Sequence, residues 1–461
     1  MVQKTLETDY VIMGSGAMGM AFADEILSQS KADRIILVDK HAQPGGHWND
    51  AYPFVSLHQP AAYYGVNSEK LGSGGSELAS GQEVMAYYDR VLRKMLETGR
   101  VQYFPMCEAS EDGNFKSLVQ KDLHYEVHVT KKVVDATYMN VQVPSTRDPQ
   151  YSIGPGVSLI PPNQLPELRE PSTEYVVIGA GKTGIDAVLF LLSNQVDPES
   201  ITWVVPNDAW MLDRDRIQPG SFAKFSPLGQ PELIINAQNL NQLFSNIEAS
   251  DGLFRLDKDV WPTKYRCATV DRNELEQLRR VKNVIRMGRV ISLETHEMIL
   301  SEGRVPTQAE KLYIDCTADG LAKREVRPVF SGNRITLQSL IMCQQVCSAS
   351  IIGYIEANYQ DEKRMNEMAQ VVPHPEFSRD YLRATATTMA NIETWGREFG
   401  LWLRRNRLFM PHHESLFALI KAGLRSRRQT GPLRDNLRAL IDQEFPNETA
   451  ESGNRELTPS S

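Results

Sequence analysis

Residues 10–19, Tyr-Val-Ile-Met-Gly-Ser-Gly-Ala-Met-Gly, run from an apolar segment straight into three closely spaced glycines. An apolar, helix-compatible segment, Met20 to Leu27, follows at once. This order predicts the strand, tight turn and helix of a dinucleotide-binding unit. In such a unit Gly14 permits the turn, Gly16 lets a pyrophosphate approach the backbone, and Gly19 lets helix and strand pack closely. An ordinary βα turn is the alternative.

A second short strand and an acid complete this unit. Arg34 to Val38 is a strand-like segment that ends in Asp39. A carboxylate at this spacing accepts hydrogen bonds from the hydroxyl groups of an adenosine ribose. The candidate binding residues of the first glycine turn are therefore Gly14, Ser15, Gly16, Ala17, Met18, Gly19, Asp39 and Lys40.

The same pattern occurs a second time. The apolar run Tyr175 to Ile178 enters a turn with three glycines, and the apolar helical segment Ile185 to Leu192 follows it. Two such units imply two nucleotides, placed so that one can pass a hydride to the other. The turn is not a nucleoside-triphosphate loop, because Val176 stands where that motif requires a glycine. Its candidate binding residues are Gly179, Gly181, Lys182, Thr183 and Gly184.

Length, charge and cysteine content limit the classes of protein to which the chain can belong. The 461 residues are compatible with roughly three domains, or with one domain interrupted by another. A net charge of −8 argues against general nucleic-acid binding. No apolar run is long enough to cross a bilayer, and residues 1–9 lack the features of a secretion signal, so a cytoplasmic protein is expected. The five cysteines are scattered without metal-ligand spacing, and we expect them to be reduced and buried.

A stretch rich in glycine and aromatic residues follows Asp39. Gly45-Gly46-His47-Trp48 leads to Tyr52-Pro53 and then to Leu57-His58-Gln59-Pro60. Glycine lets a backbone come close to a ligand, and aromatic side chains stack on flat rings. The stretch is therefore predicted to line a flat ligand. A buried aromatic cluster under a long loop is the alternative.

The first glycine turn, Asp39 and the Gly-Gly-His-Trp segment together resemble the FAD-binding start of flavin-containing monooxygenases and their relatives. The resemblance implies an FAD cofactor, contacted also by Gly46, His47 and Trp48. Asn67 lies where those enzymes have an asparagine close to the flavin, and a turn asparagine is the alternative. Asn67, His47 and Gln59 are the candidate catalytic residues, as groups that position the ring and not as nucleophiles.

Disulfide oxidoreductases share the plan of two nucleotide sites, but they place a redox pair of cysteines shortly after the corresponding glycines. This chain has no cysteine between Met1 and Met106, which argues against that class.

The second glycine turn is similar to the NAD(P)H fingerprint of the same monooxygenases, which continues to an aspartate, here Asp186. The next strand, Ile201 to Val205, should end at the adenosine ribose, where a carboxylate prefers NADH and an arginine prefers NADPH. This chain has Pro206-Asn207 there, with Arg214 and Arg216 further on. The arginines favour NADPH slightly, and NADH stays open.

The later part of the chain should return to the flavin. Lys311 to Asp315 and the following residues resemble the strand with which such chains leave the NAD(P) domain, which makes Asp319 a candidate cofactor contact. The resemblance also implies that a helix, here predicted from Leu340 to Ala357, has its amino end beside the flavin. Ser339 is its predicted cap, and Gln338 is a second cap candidate and a candidate contact.

The predicted organisation is an α/β fold: an FAD-binding Rossmann-like domain with an inserted NAD(P)-binding Rossmann-like domain and a helical C-terminal extension. Apolar residues at helical spacing predict a helix over Val84 to Leu96, and a helical region is expected over Leu233 to Phe254. The predicted parts are residues 1–165 and 311–360 for FAD, 166–310 for NAD(P), 361–445 for the extension, and a disordered tail at 446–461.

The extension contains the one concentration of basic residues. A solvated helical face is the ordinary explanation, and docking to a partner or an anionic surface is the alternative. The residues are Arg404, Arg405, Arg407, Arg425, Arg427 and Arg428.

The resemblance implies a monooxygenase. NAD(P)H would reduce FAD, O2 would add to the reduced ring at C4a, and the hydroperoxide would transfer one oxygen atom to the nitrogen, sulfur or carbon of a small organic substrate. The Phe-x-Gly-x-x-x-His segment that related enzymes carry before the second glycine turn is missing between Pro161 and Pro171. Two alternatives therefore stay open: an NAD(P)H-dependent flavin reductase or oxidase, and a non-catalytic flavin-binding redox sensor.

Overall fold

A computed structural model of the chain describes residues 2–225, 229–308, 310–318 and 324–446. Residues 2–160 form strands and helices β1 (Val2–Met13), α1 (Ala17–Gln29), β2 (Ile35–Val38), α2 (Gly81–Glu97), β3 (Val101–Phe104), β4 (Cys107–Ala109), β5 (Phe115–Ser117), β6 (Leu123–Asp135), β7 (Ser152–Ile153) and β8 (Ser158–Ile160). Residues 175–315 form β9 (Tyr175–Ile178), α3 (Lys182–Ser193), β10 (Ile201–Val204), β11 (Ala209–Asp213), α4 (Phe222–Phe225), α5 (Glu232–Ile235), α6 (Leu240–Ala249), β12 (Leu253–Phe254), β13 (Lys264–Val270), α7 (Arg272–Leu278), β14 (Asn283–Ile285), β15 (Val290–Leu293), β16 (Glu297–Leu300), β17 (Gly303–Pro306) and β18 (Leu312–Asp315). Residues 330–444 form β19 (Phe330–Ser331), β20 (Arg334–Thr336), α8 (Gln345–Asn358), α9 (Glu362–Met368), α10 (Asp380–Glu398), α11 (Gly400–Arg405) and α12 (Leu416–Glu444).

The first sheet is built around β1, whose residues 10–13 are all buried. Its parallel strands lie in the order β20-β6-β1-β2-β3. A parallel sheet has both faces covered, which explains why the four residues of β2 are all apolar and all buried. Helices α1 and α8 pack against each other. Since β20 pairs with β6, the chain returns to this sheet after it has formed the second one.

The second sheet carries the second glycine turn and has the strand order β14-β10-β9-β18-β8, with all pairs parallel. The predicted boundaries assigned residues 158–160 and 312–315 to the FAD-binding domain. The structure differs, because β8 and β18 pair with each other and β18 pairs with β9. Tyr313 and Ile314 of β18 are buried between these neighbours, so strand pairing assigns both segments to the second sheet.

The helix predicted over Val84 to Leu96 is confirmed as α2, and its buried side chains are the predicted apolar ones. Ser80 begins it with a capping box, in which the Ser80 side chain accepts from the N–H of Glu83 and the Glu83 carboxylate accepts from the N–H of Ser80. The expected helical region over 233–254 is wrong in extent. It contains the end of α5, all of α6 and β12, because Asn239 caps a new helix by accepting from the N–H of Gln242.

The helix predicted from Leu340 begins five residues later, at Gln345, and its N-cap is Gln344 without a side-chain hydrogen bond. The prediction of Ser339 as the cap is therefore wrong. The hydroxyl of Ser348 accepts from the N–H of Leu340 at 2.9 Å and donates to the carbonyl of Gln344 at 2.7 Å. A side chain that bonds the preceding backbone in this way holds residues 340–344 outside the helix.

The region after residue 360 is helical, as predicted. Trp395 and Phe399 pack into the same apolar core as Tyr10 of β1, which attaches this extension to the first sheet. The small sheet of β11, β12 and β13 shares a second apolar core with Tyr381 and Leu437 of the extension. Among the described helices, none combines the length and the apolar character that a membrane span requires.

Cys267 and Cys343 form a disulfide with their Cα atoms 6.8 Å apart. The expectation that every cysteine is reduced is wrong for this pair, because the packing of β13 against the segment before α8 joins positions 76 residues apart. Cys107, Cys316 and Cys347 are free and buried.

Candidate functional site

The first glycine turn joins β1 to α1. Gly14 has a φ of +99°, a conformation that favours glycine, and its N–H donates to the carbonyl of Val38 at 2.8 Å. A Cβ on Gly19 would overlap the carbonyl oxygen of Gly14, so helix and strand pack as closely as predicted. Helix α1 begins at Ala17, and its N-cap Gly16 has no side-chain cap. The first N–H groups of the helix therefore suit an anion such as a diphosphate.

Asp39 lies at the end of β2 beside this turn. Its Oδ2 accepts from the N–H and the hydroxyl of Ser15 at 2.6 and 2.8 Å, and its Oδ1 accepts from the N–H of His41 at 2.9 Å. Burial raises the pKa of Asp39, but the hydrogen bonds from His41 and Ser15 outweigh it and hold the pKa below its ordinary value. The group is thus an ionised acceptor, which suits ribose hydroxyls. Ser15 and Met18 are buried, Ala17 is half-buried and Lys40 is exposed.

The Gly45-Gly46 turn lies directly against the first glycine turn. The N–H of Gly45 donates to the carbonyl of Ser15 at 3.0 Å. A Cβ on Gly46 would lie 2.9 Å from the Cα of Gly16, and both Gly45 and Gly46 have positive φ angles. The two turns touch backbone to backbone, so side chains would separate them.

His47 and Trp48 follow in a short 3₁₀ helix, Gly46–Asn49. Their rings stack with centroids 5.4 Å apart, and the indole N–H of Trp48 donates to the hydroxyl of Tyr64 at 2.6 Å. Surrounding protein atoms lower the pKa of His47 to about 4, although the residue keeps part of its surface exposed. The imidazole is therefore neutral near pH 7.

The second glycine turn repeats the geometry of the first. Gly179 has a φ of +115°, its N–H donates to the carbonyl of Val204 at 3.0 Å, and a Cβ on Gly184 would overlap its carbonyl oxygen. Helix α3 begins directly after Gly181. Apart from Gly181 and its two chain neighbours, no heavy atom of the described residues lies within 4 Å of a Cβ built on Gly181. The space over this residue is open, as a diphosphate site requires.

Both glycine turns border the segment of residues 46–58, which we call the bridging segment. The hydroxyl of Tyr52 donates to Asp186 of α3 at 2.6 Å, and the rings of Phe54 and Phe190 stack with centroids 4.3 Å apart. Lys182, in the second turn, forms an ion pair with Asp186. The segment that begins against Gly16 therefore continues along the helix of the second turn, so one segment contacts both nucleotide-binding units.

His58 ends the bridging segment and is a site residue that sequence reasoning missed in favour of its neighbour Gln59, which is half-buried. Burial, together with the nearby charges of Lys182 and Arg214, lowers the pKa of His58 to about 3. Among the described residues its buried Nδ1 has no hydrogen-bond partner. A neutral imidazole with one free nitrogen thus lies close to the second glycine turn. The signal in the sequence was a histidine inside the stretch already predicted to line a ligand.

The arginines proposed for a nucleotide phosphate have protein partners. Arg214 is buried and donates to Asp271 and Glu274 at 2.8 and 2.7 Å, and its Nε donates to the carbonyl of His58 at 3.3 Å. Arg216 lies 3.6 Å from Asp251. Arg214 is therefore a structural link between the bridging segment and α7.

Two predicted contacts are bonded to other parts of the chain, and a third lies outside the described residues. The amide of Asn67 donates to Glu25 at 3.2 Å and accepts from the N–H of Arg407 at 3.1 Å, more than two turns along α1 from its start. The amide of Gln338 bonds both backbone groups of Arg327. Asp319 lies outside the described residues. A role for these residues at a flavin stays a prediction.

Comparison with known proteins gives relatives at the level of sequence. No protein-family model matches the chain. It is 45% identical over 422 residues to the uncharacterized protein Rv2000 of Mycobacterium tuberculosis and, with the same identity, to the uncharacterized protein Mb2023 of Mycobacterium bovis. Each match covers 88% of this chain and 78% of the relative.

A solved structure shares the fold. The chain is similar to the ε-caprolactone-bound crystal structure of cyclohexanone monooxygenase in its Loose conformation, with a TM-score of 0.51 and 13% sequence identity. The match covers 96% of this chain and 98% of the enzyme. At this identity the likeness is one of fold, and it extends over both sheets and the helical extension.

Proposed function

The chain belongs to the family of the mycobacterial proteins Rv2000 and Mb2023, and we propose that it is a flavin-dependent monooxygenase that binds FAD at the first glycine turn and NADPH at the second. The observation that carries the proposal is the bridging segment, which borders both turns, and we propose that it lines one cleft between them. The fold of cyclohexanone monooxygenase, matched over nearly the whole chain, supports it.

The first glycine turn fits FAD. The uncapped start of α1 would hold the diphosphate, and the ionised Asp39 would accept from the ribose hydroxyls. The backbone of Gly46, with His47 and Trp48, would border the ring, because this segment lies against Gly16. Trp48 is held in place by Tyr64, so its indole is a fixed surface.

The second glycine turn fits a nicotinamide nucleotide, and a feature near it favours NADPH. Asp208, which closely follows β10, is buried and lies 2.8 and 3.2 Å from the guanidinium nitrogens of Arg286. A carboxylate paired in this way is not free to accept from a 2′-hydroxyl, the contact that selects NADH. Asn207 beside it is neutral and does not repel a 2′-phosphate.

The chemistry of the reaction belongs to the cofactors, since bound FAD would carry electrons from NADPH to O2. The chain's own residues hold the two nucleotides in one cleft and exclude water from it. Tyr52, Phe54 and Phe190 supply an aromatic wall across the cleft. The neutral imidazoles of His47 and His58 offer hydrogen bonds without adding charge near the rings. The substrate we propose is a small organic molecule oxidised at nitrogen, sulfur or carbon.

The activity is tested by following one electron pair from NADPH to product. Under nitrogen, NADPH should bleach the visible absorbance of the bound flavin. In isotopically labelled O2, with a panel of small amines, sulfides and ketones, a product should carry one labelled oxygen atom per NADPH consumed. Hydrogen peroxide formed in equal amount to NADPH, with no labelled product, would instead identify an oxidase. A flavin that neither NADPH nor NADH bleaches would support a binding or sensing role.

Asp39→Asn should weaken FAD binding by about tenfold to a hundredfold, because hydrogen bonds to a charged group contribute about 1.5–3 kcal/mol. The variant keeps the shape of the side chain but loses its charge and half of its acceptor capacity. The dissociation constant is measured by titrating the flavin-free protein with FAD and following flavin fluorescence. Asp33→Asn is the matched control, since Asp33 is also buried but pairs with Lys131 at the opposite end of β2. Equal weakening by both variants would contradict the assignment of Asp39.

A further inference from the structure

Helix α12 has two halves of different character. In its second half Leu433, Leu437 and Leu440 are buried in an apolar core with β11 and α10. In its first half Phe417 and Ile420, one turn apart, are 77% and 53% exposed. Large apolar side chains that lie exposed at helical spacing indicate a binding surface. After the exposed side chains of Phe417, Ile420 and Lys421 we call residues 416–428 the exposed half of α12.

The exposed half is strongly basic within an acidic protein. Residues 416–434 contain no acidic residue, whereas the whole chain has a net charge of −8. Its basic residues in the sequence are Lys421, Arg425, Arg427 and Arg428. In the sequence, Lys421, Arg425 and Arg428 recur at intervals of four and three residues, the spacing of a basic stripe along a helix, beside the apolar stripe that Phe417 and Ile420 predict. An apolar stripe beside a basic stripe is the pattern of helices that lie in a membrane surface.

Helix α11 adds a third exposed apolar side chain close to the start of α12. Leu401 is 84% exposed, and Arg404, three residues later, donates to the carbonyl of Glu414 at 2.6 Å. Glu414 directly precedes Ser415, whose hydroxyl caps α12 by accepting from the N–H of Ala418. Helix α11 and the first turn of α12 are therefore held together at the same end of the extension.

We propose that the exposed half of α12 docks the protein on the surface of a lipid bilayer that contains anionic phospholipid. Phe417 and Ile420 enter the boundary between headgroups and acyl chains, and the basic stripe contacts lipid phosphates. The helix lies on the membrane and does not span it. This inference does not depend on the proposed oxygenase activity.

Charge decides between a bilayer and other occupants. A symmetric contact between two copies would bring two basic stripes together, and like charges disfavour that arrangement. A nucleic acid would match the basic charge. Its phosphate backbone would, however, leave the side chains of Phe417 and Ile420 in contact with water. An anionic bilayer complements both stripes at once.

The test is sedimentation of the full chain with lipid vesicles. The protein should bind vesicles of equal parts phosphatidylcholine and phosphatidylglycerol at least tenfold more tightly than vesicles of phosphatidylcholine alone, because basic residues near an anionic surface attract it. Added salt should weaken the binding. The double variant Phe417→Glu with Ile420→Glu should lower the affinity for the anionic vesicles at least tenfold.

A matched double variant controls for the loss of apolar surface and the added charge. Leu118 and Val119, in the turn between β5 and β6, are 48% and 72% exposed, so Leu118→Glu with Val119→Glu makes the same change elsewhere. It should lower vesicle binding far less, and both variants should keep the thermal unfolding temperature. Equal losses in the two variants, or no binding by the unaltered protein, would overturn the proposal. The proposal would also be overturned if the unaltered protein is a dimer, and the Phe417→Glu with Ile420→Glu variant is a monomer that binds vesicles with unchanged affinity.

Discussion

Gly181→Val should lower the affinity for NADPH by at least about a hundredfold, which corresponds to roughly 2.7 kcal/mol. The second glycine of such a turn is where the diphosphate approaches the backbone, and a branched side chain there occupies its space. Gly181 has a φ of −79° and a ψ of −175°, which valine adopts without strain. Because no described heavy atom beyond Gly181 and its two chain neighbours lies within 4 Å of a Cβ at this position, the protein should fold normally. The measurements are NADP+ titration calorimetry and the NADPH dependence of flavin bleaching.

This variant separates loss of a nucleotide site from loss of the fold. FAD content and the unfolding temperature should both match those of the unaltered protein. Gly396→Val is the control, since Gly396 is exposed on α10 and a Cβ there also meets no described atom within 4 Å. If Gly181→Val still binds NADP+ with unchanged affinity, the second glycine turn is not the nicotinamide site.

Arg407→Met should destabilise the protein by about 3–5 kcal/mol, because it removes a buried charged group that donates hydrogen bonds to backbone carbonyls. The guanidinium of Arg407 donates to the carbonyls of Ala62, Tyr64 and Val66 at 2.8, 2.6 and 2.9 Å. Methionine fills similar volume but leaves these three oxygens without their donor. Burial lowers the pKa of Arg407, and Asp24 is its nearby carboxylate. The loss of stability is measured by chemical unfolding at equilibrium.

Arg90→Met is the matched control for Arg407. Arg90 lies on α2 and pairs with Glu69 at 2.7 Å with its side chain 46% exposed, so its loss should cost less than about 1 kcal/mol. Arg407→Lys should fall between the two, since one ammonium group cannot reproduce the planar fork of a guanidinium. Because Arg407 anchors the chain just after the bridging segment, Arg407→Met should also release FAD more readily. Equal stability of the Arg407→Met and Arg90→Met variants would contradict the structural role we assign.

Local patterns in the sequence predicted much of the framework. The two glycine turns are identifiable because Gly14, Gly19 and Gly184 are required by residues close to them in the sequence: each permits a turn conformation or the close packing of a helix on its strand. Helix α2 was identified because its buried face repeats with helical spacing. The start of α8 was misplaced, since the hydroxyl of Ser348 competes for the backbone before it. The hydroxyl of Ser348 and the N–H of Leu340 are eight residues apart, and their hydrogen bond has no signal in apolar periodicity.

The residues of the site were harder to predict than its framework. The sequence favours Gln59 over the adjacent His58, because only the folded chain shows that Nδ1 of His58 is buried without a partner and that the charges of Lys182 and Arg214 are near. Asn67 was chosen by family resemblance, and its amide is bonded to Glu25 and Arg407.

The chain's local order thus establishes two nucleotide turns on two parallel sheets, because each turn depends on glycines and apolar residues that are close together in the chain. Folding in space was needed to show that both turns share the bridging segment, that Cys267 meets Cys343 across 76 residues, and that Arg407 satisfies three carbonyls of a loop 341–345 residues earlier. Such contacts follow from how sheets and helices pack on one another. No short window of sequence contains both partners of such a contact, so no local sequence pattern predicts it.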